Sequence, residues 1–325
     1  MALGEAKPLM YANSMPKVVV TGANGFVGKH LIKELSDHGI EVVSVGGPRM
    51  AVNHSNPSGN TYSVDLNDAN AVEAIDFSDV TGVIHLAGLA SVGPSFDDPM
   101  RYITGNIGME CNLFEAALKQ NTRPRFLIVS SGALYDTAAT LPLTESSPTL
   151  PSSPYAVSKL GQEQLAQYYA GRGIEVIIAR PFNHTGPGQG PGFIVPDIAQ
   201  QVLACEQGTQ DEVLVGNLDA KRDYTDVRDI ARAYRLLLDK GVPGETYNIC
   251  SGKALSGHDI VEGILKASGT KATITQDQDK MRPSDNPEIY GDHQKLTAAT
   301  GWQPEIGTAK TLADVVADLR AQTNS

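Results

Sequence analysis

Short apolar runs rich in β-branched residues alternate with longer segments of helical period through the first half of the chain. Lys17-Val18-Val19-Val20-Thr21 is the first run, and its lack of polar alternation predicts a strand buried on both faces of a parallel sheet. Helical spacing follows over residues 29–38. Glu41-Val42-Val43-Ser44-Val45 predicts the second strand, and residues 62–66 predict the end of a third. A fourth runs from Gly82 through Val83-Ile84-His85 into Leu86-Ala87-Gly88, a fifth covers residues 126–130 and a sixth residues 173–179. Helical stretches fill residues 98–120 and 154–172. Strands alternating with helices in this way predict an α/β fold with a doubly wound, mostly parallel sheet of the Rossmann type. Beyond residue 180 the pattern loosens. Helical segments at 194–207, 226–239 and 257–268 mix with short strands at 213–215 and 245–249, which fits a smaller C-terminal lobe closing over a substrate. The expected division is a flexible leader over residues 1–16, a dinucleotide-binding domain over 17–180 and a substrate lobe over 181–325. Some strands of the lobe are expected to return to the main sheet.

Composition narrows the class. A chain of 325 residues can bury a large core. The net charge of −11 argues against a nucleic-acid-binding surface. Cys111, Cys205 and Cys250 are far apart and show neither metal-ligand spacing nor a disulfide framework, so the reading is a cytoplasmic protein without a bound metal. No segment approaches the ~20 apolar residues of a membrane span.

The first strand flows into Gly22-Ala23-Asn24-Gly25-Phe26-Val27-Gly28 and then a helix. Glycines in such a turn let the backbone approach a pyrophosphate, and the helix N-terminus favours its charge. Gly22, Asn24, Gly25, Phe26, Val27 and Gly28 are therefore candidate cofactor-binding residues; the alternative is a tight turn that needs glycine for its backbone alone. An enzyme preferring NAD usually carries a carboxylate after the second strand to hold the ribose hydroxyls. None stands between Val42 and Asn60, while Arg49 suits a 2′-phosphate or is a solvated loop residue. NADP(H) is thus preferred, with NAD(H) possible. Asp65, beside Leu66, either accepts from the adenine amino group or caps the turn that follows. Leu86, Ala87 and Gly88 would let the cofactor pass over the fourth strand. His85, inside an apolar run, reads as a buried and satisfied imidazole.

The chemistry concentrates at Ser153-Pro154-Tyr155-Ala156-Val157-Ser158-Lys159. Ser153 suits a helix N-cap and Pro154 the first helical position. Tyr155 and Lys159, four apart, share a helix face. A phenol with a pKa of about 10 is a poor acid or base near neutrality until an ammonium shifts it. The fifth strand leads into Ser131-Gly132-Ala133-Leu134-Tyr135, where the Ser131 hydroxyl could face Tyr155.

Taken together, the glycine loop, the strand ending His85-Leu86-Ala87, the segment from Ser130 to Tyr135 and the Tyr155/Lys159 pair strongly resemble the extended short-chain dehydrogenase/reductase family, over about residues 17–320. The resemblance implies that Ser131, Tyr155 and Lys159 are catalytic. Tyr155 would be the acid/base, Lys159 would hold the nicotinamide ribose and lower the Tyr155 pKa, and Ser131 would orient the reacting oxygen. Dehydratases of this family carry acids after the catalytic hydroxyl, where Gly132 and Ala133 stand here, so hydride transfer is expected without dehydration.

The segment from Gly216 to Tyr224, Asn183-His184-Thr185-Gly186-Pro187-Gly188-Gln189 and Met281-Arg282-Pro283-Ser284-Asp285 resemble the GDP-sugar-binding members. That implies Arg222 and Arg282 on the substrate pyrophosphate, because a guanidinium fork suits it, with Asn183 and Ser91 also touching substrate. Arg222 could instead pair with Asp223 or Asp226. The implied substrate is GDP-4-dehydro-6-deoxy-D-mannose, reduced at C4; a talose-forming reductase or a nucleotide-sugar 4-epimerase are the alternatives. The same resemblance implies a homodimer by a four-helix interface of the helices at 98–120 and 154–172.

Overall fold

The computed structural model describes residues 16–48, 60–280 and 288–323; the expected leader lies otherwise outside the described residues. In chain order the elements are β1 (Lys17–Thr21), α1 (Phe26–Asp37), β2 (Glu41–Gly46), β3 (Thr61–Ser63), α2 (Ala69–Val72), β4 (Gly82–His85), α3 (Val92–Ser95), α4 (Pro99–Lys119), β5 (Arg125–Val129), α5 (Pro154–Gly171) and β6 (Val176–Pro181). There follow β7 (Asn183–Thr185), α6 (Ile194–Glu206), β8 (Glu212–Val215), β9 (Lys221–Asp226), α7 (Val227–Lys240), β10 (Thr246–Ile249), β11 (Ala254–Ser256), α8 (Gly257–Ser268), β12 (Thr273–Gln276), β13 (Glu288–Ile289), α9 (Gln294–Thr300) and α10 (Thr308–Thr323).

Seven parallel strands form the central sheet in the order β10-β6-β5-β4-β1-β2-β3. Alternate residues of each strand feed opposite layers. Val18 and Val20 pack with Leu31, Leu35, Tyr234 and Leu237 of α1 and α7, whereas Val19 packs with Leu113, Phe114 and Tyr169 of α4 and α5. Both faces are dry, which is why the strands read as continuous apolar runs. The strand order reverses between β1 and β4, so a crevice opens at their C-terminal ends, where Thr21 and His85 stand.

A separate core joins α6, α8 and α10 to the two-stranded β8–β12 sheet through Val195, Val202, Val213, Ile264 and Val316. Strand β9 pairs with β7, β11 and β13 and leads into α7. Among the described residues no helix is long and apolar enough to cross a membrane.

Several boundaries differ from the pattern. Helix α1 begins at Phe26 rather than 29, because Gly25 is already its N-cap and the last three loop residues form the first turn. The third strand stops at Ser63; Leu66 instead drops into the core at 6% exposure. Trp302, fully buried, donates its indole N–H to the Asp229 carbonyl at 2.9 Å, a packing role.

Candidate active site

Ser153 caps α5 by accepting from the Ala156 N–H at 3.1 Å, and Pro154 occupies the first turn. This start sets Tyr155 and Lys159 on one buried face, at 8% and 6% exposure. Lys159 Nζ donates to the Val129 carbonyl at 2.8 Å, the last residue of β5. Two residues on, Ser131 is extended and its hydroxyl accepts from Ala133 N–H at 3.1 Å. The same hydroxyl lies near the Tyr155 phenol and favours its ionised form. The end of β5 and the start of α5 thus bring Ser131, Tyr155 and Lys159 together.

Burial pushes the Tyr155 phenol up, and the nearby Ser131 hydroxyl only partly opposes it. This departs from the expected lowering by Lys159. The reason is geometric: the ammonium is 6.0 Å from the ring centre and is directed at Val129. Lys159 itself is pulled down to about 8 by burial, against the opposing influence of the Glu110 and Glu163 carboxylates. His85 is held down to about 3 by burial and by the Lys159 charge, so it is neutral. Its Nδ1 lies 2.8 Å from the Thr21 hydroxyl, which also accepts from Ala87 N–H at 3.1 Å and so ties the ends of β1 and β4. The expected satisfied imidazole holds for Nδ1 alone, since Nε2 has no partner.

Asn106 is a polar residue on the buried face of α4. Its carbonyl accepts from Leu89 N–H at 2.8 Å, and its amide donates to Leu89 O at 3.2 Å and Ser158 Oγ at 2.9 Å. It clamps the loop that carries Gly88 onto α5.

The glycine turn fits a dinucleotide. Gly22 has φ +67°, and a Cβ there would sit 2.9 Å from Ala87 N; one at Gly28 would sit 2.3 Å from Gly22 O. Helix α1 has no side-chain cap, so the first N–H groups at Phe26, Val27 and Gly28 face the crevice beside Asn24 and Gly25. A Cβ on Gly88 would come 3.8 Å from Lys159 Nζ, which places the Leu86-Ala87-Gly88 backbone over the lysine. Asp65 is exposed and accepts from Asn67 N–H at 2.9 Å, a turn role; Leu66 is buried. Arg49 lies outside the described residues.

On the opposite wall, Asn183 is exposed on β7 and pairs in register with Tyr224 of β9. Arg222, half-buried two residues before Tyr224, donates to the Lys221 carbonyl at 2.8 Å, and burial lowers its pKa. The two acids weighed as its partners are committed elsewhere. Asp223 accepts from Ser251 N–H and hydroxyl, Gly252 N–H and Gly291 N–H, whereas Asp226 caps α7 and holds Arg228. Ser91 is half-buried at the start of α3 and makes no capping bond. Arg282 lies outside the described residues. A seam joins the two walls: His184 stacks on Phe26 with 12° between the planes, and His30 Nε2 lies 2.8 Å from Pro187 O.

The sequence model described as GDP-mannose 4,6 dehydratase matches residues 19–315. This chain belongs to that family, within the extended short-chain dehydrogenases/reductases. Family membership makes it an oxidoreductase. The chain is 35% identical over 310 residues to the GDP-6-deoxy-D-mannose reductase of Pseudomonas aeruginosa, spanning 94% of this chain and 98% of that protein. It is 28% identical to a UDP-glucose 4-epimerase of Caenorhabditis elegans, spanning 92% and 96%. The solved structure of RMD from Pseudomonas aeruginosa complexed with NADPH superposes with a TM-score of 0.85 at 34% identity, covering 95% of this chain and all of that one. The family fold accounts for the sheet order and the glycine turn described above.

Proposed function

We propose that this oxidoreductase uses NADPH to reduce the C4 ketone of GDP-4-dehydro-6-deoxy-D-mannose, giving GDP-6-deoxy-D-mannose (GDP-D-rhamnose). One observation carries the reading: the Ser131 hydroxyl lies beside the buried Tyr155 phenol at the end of β5, Lys159 shares the buried face of α5 with Tyr155, and glycine and alanine follow at 132 and 133. A Cβ on Gly132 would crowd the Phe182 ring at 3.1 Å, so an acid at that position would have to displace it. The similarity to a GDP-6-deoxy-D-mannose reductase supports the substrate, and that to an NADPH complex, with the missing carboxylate after β2, supports the cofactor.

When bound, NADPH supplies the hydride. The N–H groups of Phe26, Val27 and Gly28 hold its pyrophosphate, the turn at Gly22, Asn24 and Gly25 lets it approach, and Arg49 takes the 2′-phosphate. Asp65 and Leu66 would meet the adenine, Leu86, Ala87 and Gly88 would line the passage, and Lys159 would hold the nicotinamide ribose. Tyr155 donates its phenolic proton to the C4 oxygen as negative charge builds there. Burial, by raising the phenol's pKa, keeps it protonated at neutral pH, the form that reduction uses. The Ser131 hydroxyl stabilises the same oxygen. Arg222 and Arg282 bind the GDP pyrophosphate, and Asn183 and Ser91 orient the sugar.

A cytoplasmic homodimer through α4 and α5 belongs to the same proposal. Met100, Val157 and Tyr168 on those helices are 65%, 44% and 60% exposed, apolar area that a partner would cover.

The test mixes protein, ketosugar and NADPH or NADH and follows cofactor oxidation, with UDP-glucose and NAD in parallel. Stoichiometric NADPH loss with the ketosugar supports the reading. An inert ketosugar, with UDP-glucose converted to its 4-epimer, replaces it with an epimerase.

A further inference from the structure

A chain of buried polar groups runs beneath the site and takes no part in the chemistry above. Ser130 and Ser131 are consecutive in extended backbone, so their side chains leave on opposite faces. Ser131 meets Tyr155, while the Ser130 hydroxyl donates to Glu163 Oε1 at 2.6 Å. Glu163 lies one turn after Lys159 on α5 and is 2% exposed. Arg180 of β6 grips both its oxygens, Nε at 2.8 Å and Nη2 at 2.7 Å. Arg180 Nη1 then donates to the Tyr135 hydroxyl at 3.0 Å, and that hydroxyl donates to Asn248 Oδ1 of β10 at 2.6 Å. Both ends of the segment 130–135, which carries Ser131, are therefore pinned by one carboxylate and its arginine.

We propose that Glu163 is a positioning residue for the reduction: through Ser130 and Arg180 it fixes Ser131 against Tyr155, and its charge supports the Lys159 ammonium. The proposal rests on the ketoreductase reading above. A hydrophobic pair of the same size would fill this space with less desolvation, so a bidentate ion pair here is not explained by stability alone. Burial lowers Lys159, and Glu110 of α4 and Glu163 are the two groups that hold it up. The other ionisable groups facing Lys159 are His85 of β4, which is neutral, and Tyr155 of its own helix. Glu110 is itself pushed well up by burial, though the Lys159 charge opposes this, whereas Glu163 is held as a carboxylate by both nitrogens of the Arg180 fork.

Two variants test this in the full-length protein. Ser130→Ala removes one hydrogen bond and leaves the ion pair. It is expected to lower kcat by about 10- to 100-fold, the scale of a small misplacement, with KM for the ketosugar and NADPH affinity within about twofold of wild type. Glu163→Gln keeps the shape and removes the charge. Lys159 then loses its proton at lower pH, so the pH at which NADPH affinity weakens, read by cofactor fluorescence without any sugar, moves downward. That titration stands even if the ketosugar assignment fails, because it needs no turnover. A folded Ser130→Ala with wild-type kcat overturns the proposal, as does an unmoved NADPH titration in Glu163→Gln. Should Glu163→Gln not fold, Ser130→Ala decides alone.

Discussion

Lys159 points its ammonium at the Val129 carbonyl, 2.8 Å away, and not at the phenol of its helix neighbour Tyr155, whose ring centre is 6.0 Å off. In the protein alone the tyrosine is therefore a buried, protonated acid beside Ser131. The lysine anchors α5 to the end of β5.

Tyr155→Phe removes the proton donor. Turnover should fall about 10²- to 10⁴-fold, the usual contribution of a positioned acid, while NADPH binding stays within about twofold. Rapid absorbance assays and fluorescence titration measure the two. Turnover near that of wild type would remove Tyr155 from the mechanism.

Lys159 should impose a pH dependence on NADPH affinity. It is charged below about 8 and neutral above, because burial lowers its pKa in the folded protein. Affinity should weaken as pH rises through that value, and the dependence should flatten in Lys159→Met. The sign for stability is the reverse. Between about 8 and the ordinary lysine value of 10.5 the unfolded chain binds more protons at this site, so its contribution to stability rises with pH there. An affinity that is flat from pH 7 to 9 would contradict the assignment.

The strands of the main sheet were legible because both faces are dry, so β1, β2, β4 and β5 appear as apolar runs with little slippage. The helix start at Ser153 and Pro154 was legible from its capping chemistry alone. Strands β7 and β9 were not. Asn183-His184-Thr185 is three residues in a Gly/Pro-rich context, and Lys-Arg-Asp-Tyr-Thr-Asp has no apolar period, because β9 is held by short partners and by the acids Asp223 and Asp226. The Tyr155–Lys159 spacing gave the right face but the wrong electrostatics, since the carbonyl that takes the lysine lies 30 residues away in sequence. Glu163, one acid among the polar residues of α5, carries no signal of its own in the sequence; its contact with Arg180 reveals it.

Gly22→Ala and Gly39→Ala form a matched pair. Both positions have positive φ, +67° and +70°, and each should lose about 1–2 kcal/mol from backbone strain alone. Only Gly22 is also pressed against Ala87, at 2.9 Å, whereas nothing lies within 4 Å of a Cβ on Gly39. Gly22→Ala should thus lose further stability and NADPH binding, and Gly39→Ala should bind NADPH normally. Thermal melts and cofactor titration compare them; equal behaviour would show that the close approach at Gly22 does not matter.

Asp223→Ala leaves the N–H groups of Ser251, Gly252 and Gly291 without their buried acceptor. Stability should drop by about 2–4 kcal/mol, on the scale of stranded buried donors. Because Asp223 is next to Arg222 on β9, KM for the GDP-sugar should rise while NADPH affinity holds. Denaturant unfolding with steady-state kinetics tests both, and an unchanged midpoint would show that the cap is dispensable.

The most direct test of the central claim is NMR of the product formed from GDP-4-dehydro-6-deoxy-D-mannose and NADPH carrying deuterium at its transferable position. The proposed reaction places deuterium at C4 of GDP-6-deoxy-D-mannose. Deuterium at C4 of the talose isomer would keep the ketoreductase and reverse the sugar's orientation, and no labelled sugar at all would contradict the account.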